Sequence, residues 1–408
     1  MSKNVLYLTY DGLTDVIGRS QVIPYILKLS TQGYSFFIIS CEKKDRYEKY
    51  EEELHTLFNQ SGIQWYPLSY TKKPPMLSTV WDILRIRRTA IRLHKEYNFS
   101  LVHCRSYIVA MIGLYLKRKK NVKFVFDTRG LWVDERVQGG LWNLKNPVYK
   151  FLFSYFKKLE KAYFENADYS ITQAEHAKEY MHTWKNLRNQ PIPIKNIPCC
   201  ADFVLFDPAK IKETDQDRIK KELGLKEETI VGYCGALGTW YMLKEKLNFF
   251  KRYLRFNPHA KFLFITPHDK KEIYEEVAKI GIDEYQVIVK EAKREEVALY
   301  TSLFTFSVFF IKPGPSNIAK SPIKYGELMA MGIPVVTNSG VGDIDDIILQ
   351  SNSGILIYSF DDESYDVAIE ELLKGNTASP EVIREKAEQI YSLDKGVNGY
   401  LEVYNKLT

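Results

Sequence analysis

The sequence predicts an α/β protein of two doubly wound, Rossmann-like domains that face each other across a deep cleft. Three observations carry that expectation. Apolar runs rich in Val, Ile, Leu, Phe and Tyr alternate with helical patterns along the chain, and strands separated by helices imply right-handed crossovers and parallel sheets. The alternation lapses over Gln190 to Pro208, where four prolines punctuate a stretch without amphipathic period, and then restarts. At 408 residues the chain exceeds one ordinary core, and at roughly 100 to 200 residues per domain two are expected.

In the first half, strands are expected at Val5 to Thr9, Ser35 to Ser40, Leu101 to His103, Val122 to Asp127 and Tyr169 to Thr172. Between them, Ile83, Ile86, Ala90, Leu93 and Tyr97 recur at helical steps. Arg85, Arg88, Arg92 and Lys95 form a second stripe about 200° away, which predicts an amphipathic helix with a cationic outer face. A helix over roughly Pro147 to Phe164 carries Val148, Leu152, Tyr155, Leu159 and Ala162 on its expected core stripe, with Phe151, Phe153 and Phe156 elsewhere among lysines. In the second half, strands are expected at Ile230 to Gly235, Lys261 to Thr266, Gln286 to Val289, Phe304 to Phe310 and Ile333 to Asn338. Ligands of open α/β sheets bind beyond the carboxyl ends of the strands, so functional residues are sought in the loops that follow them.

An apolar fraction of 45% with 14% aromatics excludes wholesale disorder and collagen-like or low-complexity chains. The net charge of +6 conceals an uneven distribution. Between Lys72 and Lys123 stand 13 Lys/Arg against only Asp82 and Glu96, an excess of +11, which leaves the rest of the chain at −5. One basic stretch points to an anionic partner at one place. A membrane headgroup surface suits the lysines and aromatics beside it, or the charge is an ordinary solvated face; no recognised nucleic-acid motif accompanies it. No run approaches a membrane span, and Val5-Leu6-Tyr7-Leu8-Thr9 reads as a buried strand rather than a cleaved leader. Five cysteines without metal-ligand spacing indicate a reducing cytoplasm.

The most informative segment starts at Pro313. Ser321-Pro322 makes a good helix opening, whose first-turn N–H groups are donors for an anion. Lys324 and Glu327 are neighbours on one face of that helix. A cation and a carboxylate there suit a ligand with a diphosphate and a hydroxylated sugar, although an i, i+3 ion pair has the same spacing. Gly342-Asp343-Ile344-Asp345-Asp346 contains Asp-x-Asp, which acidic residues opening a helix explain more simply than a metal site.

Ser321-Pro322-x-Lys324-x-x-Glu327-x-Met329-Ala330-x-Gly332-x-Pro334-Val335-Val336 resembles the nucleotide-binding signature of family 4 glycosyltransferases of GT-B architecture (glycosyltransferase group 1 type). Further pieces agree in order: the glycine-bearing loop Asp11 to Ser20, Ala167 to Thr172, Ile197 to Asp202 and Val231 to Leu237. The resemblance implies an acceptor-binding domain over 1–200, a nucleotide-sugar domain over 201–389, and a terminal helix, 390–408, that returns to the first domain. It implies that Glu327 bonds the ribose hydroxyls and that Lys324 and the helix N-terminus meet the diphosphate, with Ser321, Gly235 and Gly18 lining the donor site. Three positions depart from the pattern: Ala319 for a glutamate, Ala236 for an arginine and Tyr241 for a lysine. Arg19, Lys320 and Lys324 together are expected to supply the missing charge. Asp127-Thr128-Arg129 through Glu135 occupies the place of the family's catalytic-region motif, with Phe126 for its histidine. Asp127 and Arg129 are therefore expected at the reaction centre and Glu135 as an acid/base or acceptor-binding group; alternatively Asp127 caps the turn and Arg129 pairs with Asp134 or Glu135. His103, with Arg85, Arg88 and Arg92, is expected on the acceptor or membrane side, or His103 is a structural group.

The implied activity is transfer of a sugar from a nucleoside diphosphate donor to an acceptor hydroxyl. Retention of configuration is expected, with no metal or cofactor, in bacterial surface polysaccharide or lipid-linked oligosaccharide assembly. The expected partners are a nucleotide-sugar, a glycan or lipid-linked acceptor and an anionic membrane surface, not nucleic acid. The expected location is cytoplasmic, peripheral on the inner face of the plasma membrane. Two alternatives remain: a nucleotide-sugar epimerase of the same fold, and a silent nucleotide- or membrane-binding subunit.

Overall fold

The apolar runs of the two halves become the strands of two parallel sheets in the computed structural model, which describes residues 3–74, 76–238 and 240–408. The chain forms two units, Met1–Pro198 with Leu393–Thr408, and Cys199–Ser392.

The first unit runs β1 (Lys3–Thr9), α1 (Val16–Gln21), α2 (Ile23–Ser30), β2 (Tyr34–Glu42), α3 (Lys44–Gln60), β3 (Gln64–Ser69), α4 (Leu77–Tyr97), β4 (Leu101–Arg105), α5 (Tyr107–Lys120), β5 (Lys123–Asp127), α6 (Trp132–Gln138), α7 (Pro147–Asn166), β6 (Tyr169–Thr172), α8 (Glu175–His182) and β7 (Ile194–Asn196). Its sheet order is β3-β2-β1-β4-β5-β6-β7, every pair parallel. Helices cover both faces, which is why the central strands are largely apolar rather than alternating, with polar residues at their ends.

The second unit runs α9 (Glu213–Glu222), β8 (Ile230–Cys234), α10 (Leu243–Tyr253), β9 (Lys261–Ile265), α11 (Lys270–Ile280), β10 (Val287–Lys290), α12 (Val297–Thr301), β11 (Phe306–Phe309), α13 (Ile323–Ala330), β12 (Val335–Asn338), α14 (Ile344–Ser351), β13 (Gly354–Ile357), α15 (Asp362–Leu373) and α16 (Pro380–Tyr391). Its order is β10-β9-β8-β11-β12-β13, again parallel.

The final helix, α17 (Leu393–Leu407), belongs to the first unit. It packs on α2 and β7 and is tied down by Lys28 to Asp394 and Lys195 to Glu402 ion pairs. Tyr34 Oη also donates to Asn405 at 2.8 Å.

Three strands escape the sequence pattern, β3, β7 and β13, and each is the edge strand of its sheet. An edge strand is paired on one side only, so it need not be a continuous apolar run and tolerates proline, as Pro67 in β3 shows. β7 forms inside the Gln190 to Pro208 stretch expected to be linker, pairing with β6. The expected core stripe of α7 is also corrected. Val148 and Tyr155 are exposed while Glu160, Tyr163 and Phe164 are buried. A carboxylate holds that inward place because Tyr107 Oη donates to Glu160 at 2.7 Å and Lys157 pairs with it. No helix among the described residues is long and apolar enough to cross a membrane.

Candidate active site

In the second unit the site is assembled where β8 ends and α13 begins. Pro322, the N-cap of α13, offers its opening N–H groups no side-chain cap. Lys324, in its first turn, is only 7% exposed. Its ammonium donates to Tyr233 Oη at 2.8 Å and lies 3.5 Å above the Tyr241 ring. Burial pulls the amine down to about 7, only partly opposed by Cys234 and Glu327. Gly235 makes the arrangement possible: it sits at φ +117, and a Cβ there would stand 3.0 Å from Lys324 Nζ. Tyr241, where the family pattern has a lysine, thus supplies a π face to the lysine of α13 instead.

One turn on, buried Glu327 is paired with Arg294 at 2.5 Å. Burial raises its carboxyl, with Arg294 and Lys324 opposing. Lys324 and Glu327 line a small hollow with Phe206, Cys234, Val297, Thr301 and Leu328. Sequence reasoning missed Arg294, because nothing in a Lys/Arg/Glu-rich loop marks which cation meets a distant glutamate. It also missed Lys246. That residue, on α10, is fully buried, has no side-chain hydrogen-bond partner among the described residues, and lies 3.6 Å over the Tyr233 ring that Lys324 also covers. Burial, with Lys324 nearby, holds its amine well below the usual lysine range.

The remaining expected donor residues separate. Lys320 stacks 3.5 Å over Trp240. The Ser321 hydroxyl accepts from Cys199 N–H at 3.1 Å, joining α13 to the start of the unit. Ala319 closes a turn of 3-10 helix and is fully buried. Asp345 accepts from Gly340 N–H at 3.1 Å and from Ser339, which is the helix-opening role.

The first unit gathers a second set of charges at the carboxyl ends of β4 and β5. Asp127 is fully buried. Its Oδ2 accepts from Tyr400 Oη at 3.1 Å and from His103 Nε2 at 3.4 Å. A carboxylate only accepts, so Nε2 carries the proton and Nδ1 accepts from Tyr404 Oη at 2.6 Å. Burial pushes the Asp127 carboxyl up, but Arg129, His103 and Arg105 outweigh it and hold it down to about 2. Burial keeps the His103 imidazole below its usual range in spite of Asp127. Arg129 lies 3.7 Å from Asp127 Oδ1. With the Gln173 amide turned to offer its oxygen, Arg129 Nη2 also donates there at 2.7 Å. The Glu135 carboxylate lies over Gly130, where a Cβ would meet Oε1 at 2.6 Å.

Several expectations for this unit change. His103 is buried rather than on an exposed membrane side: β4 is a central strand, and Tyr400 and Tyr404 of α17 cover the ring. Asp127 is sealed inside the same network and orients its neighbours rather than presenting an open carboxylate. Arg19, expected at a diphosphate, is occupied by a two-point ion pair with Glu53 at 2.9 and 3.1 Å and stacks on Tyr50. Gly18 serves close packing, since a Cβ would come 2.3 Å from Gly12 O. The loop it packs against is held by buried Glu42, which accepts from Leu13 N–H, Thr14 N–H and the Thr14 hydroxyl. Arg85 leaves the outer stripe to donate to Ser69 O at 3.0 Å and to lie 3.7 Å from Asp82. Arg88 and Arg92 remain exposed.

Two Rossmann-like units of this strand order, with a lysine and a glutamate at the start of α13, define the GT-B class of glycosyltransferase. A family model of glycosyl transferases group 1 matches residues 215–390, and one of Glycosyltransferase Family 4 matches residues 26–202. The chain belongs to the family 4 glycosyltransferases and is a glycosyltransferase enzyme. Among solved structures it is similar to sucrose-phosphate synthase from Thermosynechococcus elongatus, at 15% identity over 99% of each chain and a TM-score of 0.71. It is similar to Anabaena HepE in complex with UDP and glucose, at 13% identity over 99% of this chain and 100% of that one, TM-score 0.70. The lipopolysaccharide outer core galactosyltransferase WaaB gives 14% identity over 99% of both chains and a TM-score of 0.65. At such identities the likeness is one of fold. No curated protein matches the chain.

Proposed function

We propose that the protein moves a glycosyl group, with retention, from a nucleoside diphosphate sugar held by the second unit to an acceptor hydroxyl held by the first. The buried Lys324 and Glu327 on the opening turns of α13 carry this reading. Lys324, seconded by Lys246, takes the diphosphate, and Glu327 turns from Arg294 to the ribose hydroxyls as charge-assisted acceptor. Catalysis then rests on positioning and stabilisation of the leaving diphosphate without an essential metal. HepE was solved with UDP and glucose, so uridine diphosphate sugars are the first donors to test, with guanosine and adenosine analogues beside them. Incubation of radiolabelled donor with bacterial membranes is expected to move label into the lipid fraction. A soluble isomer of the donor, or nucleotide binding without turnover, would overturn the reading.

The acceptor is expected to be a lipid-linked glycan in surface polysaccharide or lipid-linked oligosaccharide assembly, met at the cytoplasmic face of the plasma membrane. The support is a surface feature of α4. Exposed Leu77, Val80, Trp81 and Leu84 form one stripe that continues into exposed Arg88, Arg92 and Lys95. On α7, Val148, Phe151 and Tyr155 are likewise exposed. Apolar side chains beside cations suit an anionic headgroup layer. The protein is expected to sediment with vesicles containing phosphatidylglycerol and not with phosphatidylcholine alone, with binding that falls steeply with salt. Trp81→Ser with Leu84→Ser, and Arg88→Ser with Arg92→Ser, should each lower binding; vesicle binding indifferent to both pairs would remove this surface from the membrane.

A further inference from the structure

Arg105 ends β4 and is only 4% exposed. Its side-chain Nε and Nη1 are wholly enclosed and have no hydrogen-bond partner among the described residues. Guanidinium groups do not give up their proton in proteins, so burial without a partner leaves a desolvated positive charge. Pairing places Thr9, Arg105 and Asp127 abreast on neighbouring strands, their side chains on one face with Tyr7 and His103. Asp127 is the nearest buried carboxylate, and it already serves His103, Tyr400 and Arg129. Asp11, the other acidic group near Tyr7, is exposed. The two strand ends thus carry two guanidinium groups against one shared carboxylate.

The backbone points to the same place. Ser106, the next residue, is held at φ 75 and ψ 173, and Arg129, two residues past the end of β5, at φ 52. Both conformations favour glycine. Ser106 is kept there by its N–H, which donates to Asp127 O at 2.7 Å. Backbone strain on adjacent strand ends, beside an enclosed cation whose Nε and Nη1 lack hydrogen-bond partners among the described residues, points to a preorganised binding site.

We propose that Arg105, with Arg129 beside it, binds an oxyanion carried by the acceptor: a phosphate, diphosphate or carboxylate group, whose two oxygens match the planar fork of a guanidinium. The inference rests on the reading that the first unit takes the acceptor. It makes the acceptor an anionic molecule and assigns Arg105 a recognition role that the cation lining the nucleotide site cannot fill.

The test uses inorganic pyrophosphate and free glucuronate as probes, titrated by calorimetry at constant ionic strength. Lys324→Met removes the leading one of the two nucleotide-side cations, Lys324 and Lys246. In that background at least one probe is expected to bind, and adding Arg105→Met is expected to weaken it at least tenfold, with Arg105→Lys restoring part of the loss. Ligand-free Arg105→Met should melt within a few degrees of wild type, because Asp127 keeps Arg129, His103 and Tyr400 as partners. Its affinity for uridine and guanosine diphosphate should stay within about twofold of wild type. Probe binding unchanged by Arg105→Met overturns the proposal, as does a lowered melting temperature with unchanged binding. Loss of nucleoside diphosphate affinity as large as that of Lys324→Met would assign the anion to the donor and overturn the acceptor site. Wild-type protein that binds probes through Arg105 but no nucleoside diphosphate would refute the nucleotide reading of the second unit while upholding the anion site.

Discussion

Turnover of the nucleotide-sugar donor is expected to fall at least about 100-fold in Lys324→Met and in Glu327→Ala, the order of loss that follows removal of one preorganised charge partner of a transition state. Neither variant should unfold. The ammonium of Lys324 rests on Tyr233 and Tyr241 rather than on a carboxylate, so replacing it removes a buried cation and strands no buried anion. The pH dependence is the sharper measurement. An amine whose folded value is about 7 and whose ordinary value is 10.5 penalises folding progressively as pH falls between those limits, and by no more below them. An anionic ligand favours the protonated amine. The dissociation constant for a nucleoside diphosphate should therefore rise by up to tenfold per pH unit above about 7, with protons taken up on binding. Calorimetry in buffers of different ionisation enthalpy reads that uptake, and Lys324→Met should abolish most of it. A dissociation constant flat from pH 7 to 9 in the wild-type protein would exclude Lys324 from the diphosphate.

Asp127→Ala is expected to be the most destabilising single change at either site, by about 3–5 kcal/mol, because it strips the counter-charge from buried guanidinium groups. It also removes the acceptor of Tyr400 and of His103. At roughly 2–4 °C per kcal/mol for a unit of this size, the melting transition should fall by about 6–20 °C. Asp127→Asn keeps the shape and should cost less. The carboxyl is held to about 2, below its ordinary 3.8, so its stabilisation is present above the ordinary value and is lost as pH falls from about 4 toward 2. Wild-type and Asp127→Asn unfolding curves should accordingly converge in that window. Combining Asp127→Ala with Arg105→Met should recover part of the loss, since fewer charges are then left unpaired. Strict additivity of the two substitutions would show that they do not share one network.

Much of the architecture was legible in advance because parallel strands buried on both faces are near-continuous apolar runs, as in Phe36 to Ile39 and Phe262 to Ile265. The strands that were not legible are edge strands, whose single pairing partner lets Pro67 or Lys195 stand inside them. On α7 the apolar stripe misled because the buried face includes Glu160, tolerable only through Tyr107, a residue 53 positions away. The same contrast governs the sites. Lys324 and Glu327 are one helical turn apart, so their neighbourhood is written in their spacing. Arg294, Lys246 and Arg105 acquire meaning only from what surrounds them in space, and His103 changes role because Tyr400 and Tyr404, some 300 residues later, close over it.

The return of α17 to the first unit sets an order of events during synthesis. Leu393 follows Pro198 only after the whole of Cys199–Ser392 has been made. At roughly 5–20 residues per second, that interval lasts roughly 10–40 s. Through that time the face of β1 and β4 that will carry Tyr400 and Tyr404 is uncovered, and the His103–Asp127 pair lacks its tyrosine partners. The second unit, contiguous in sequence, can finish folding while the first still waits. The nascent chain therefore passes through a state in which the nucleotide half is mature and the other half is open. Such a state is a natural substrate for chaperones, and a chain cut before Leu393 would be trapped in it.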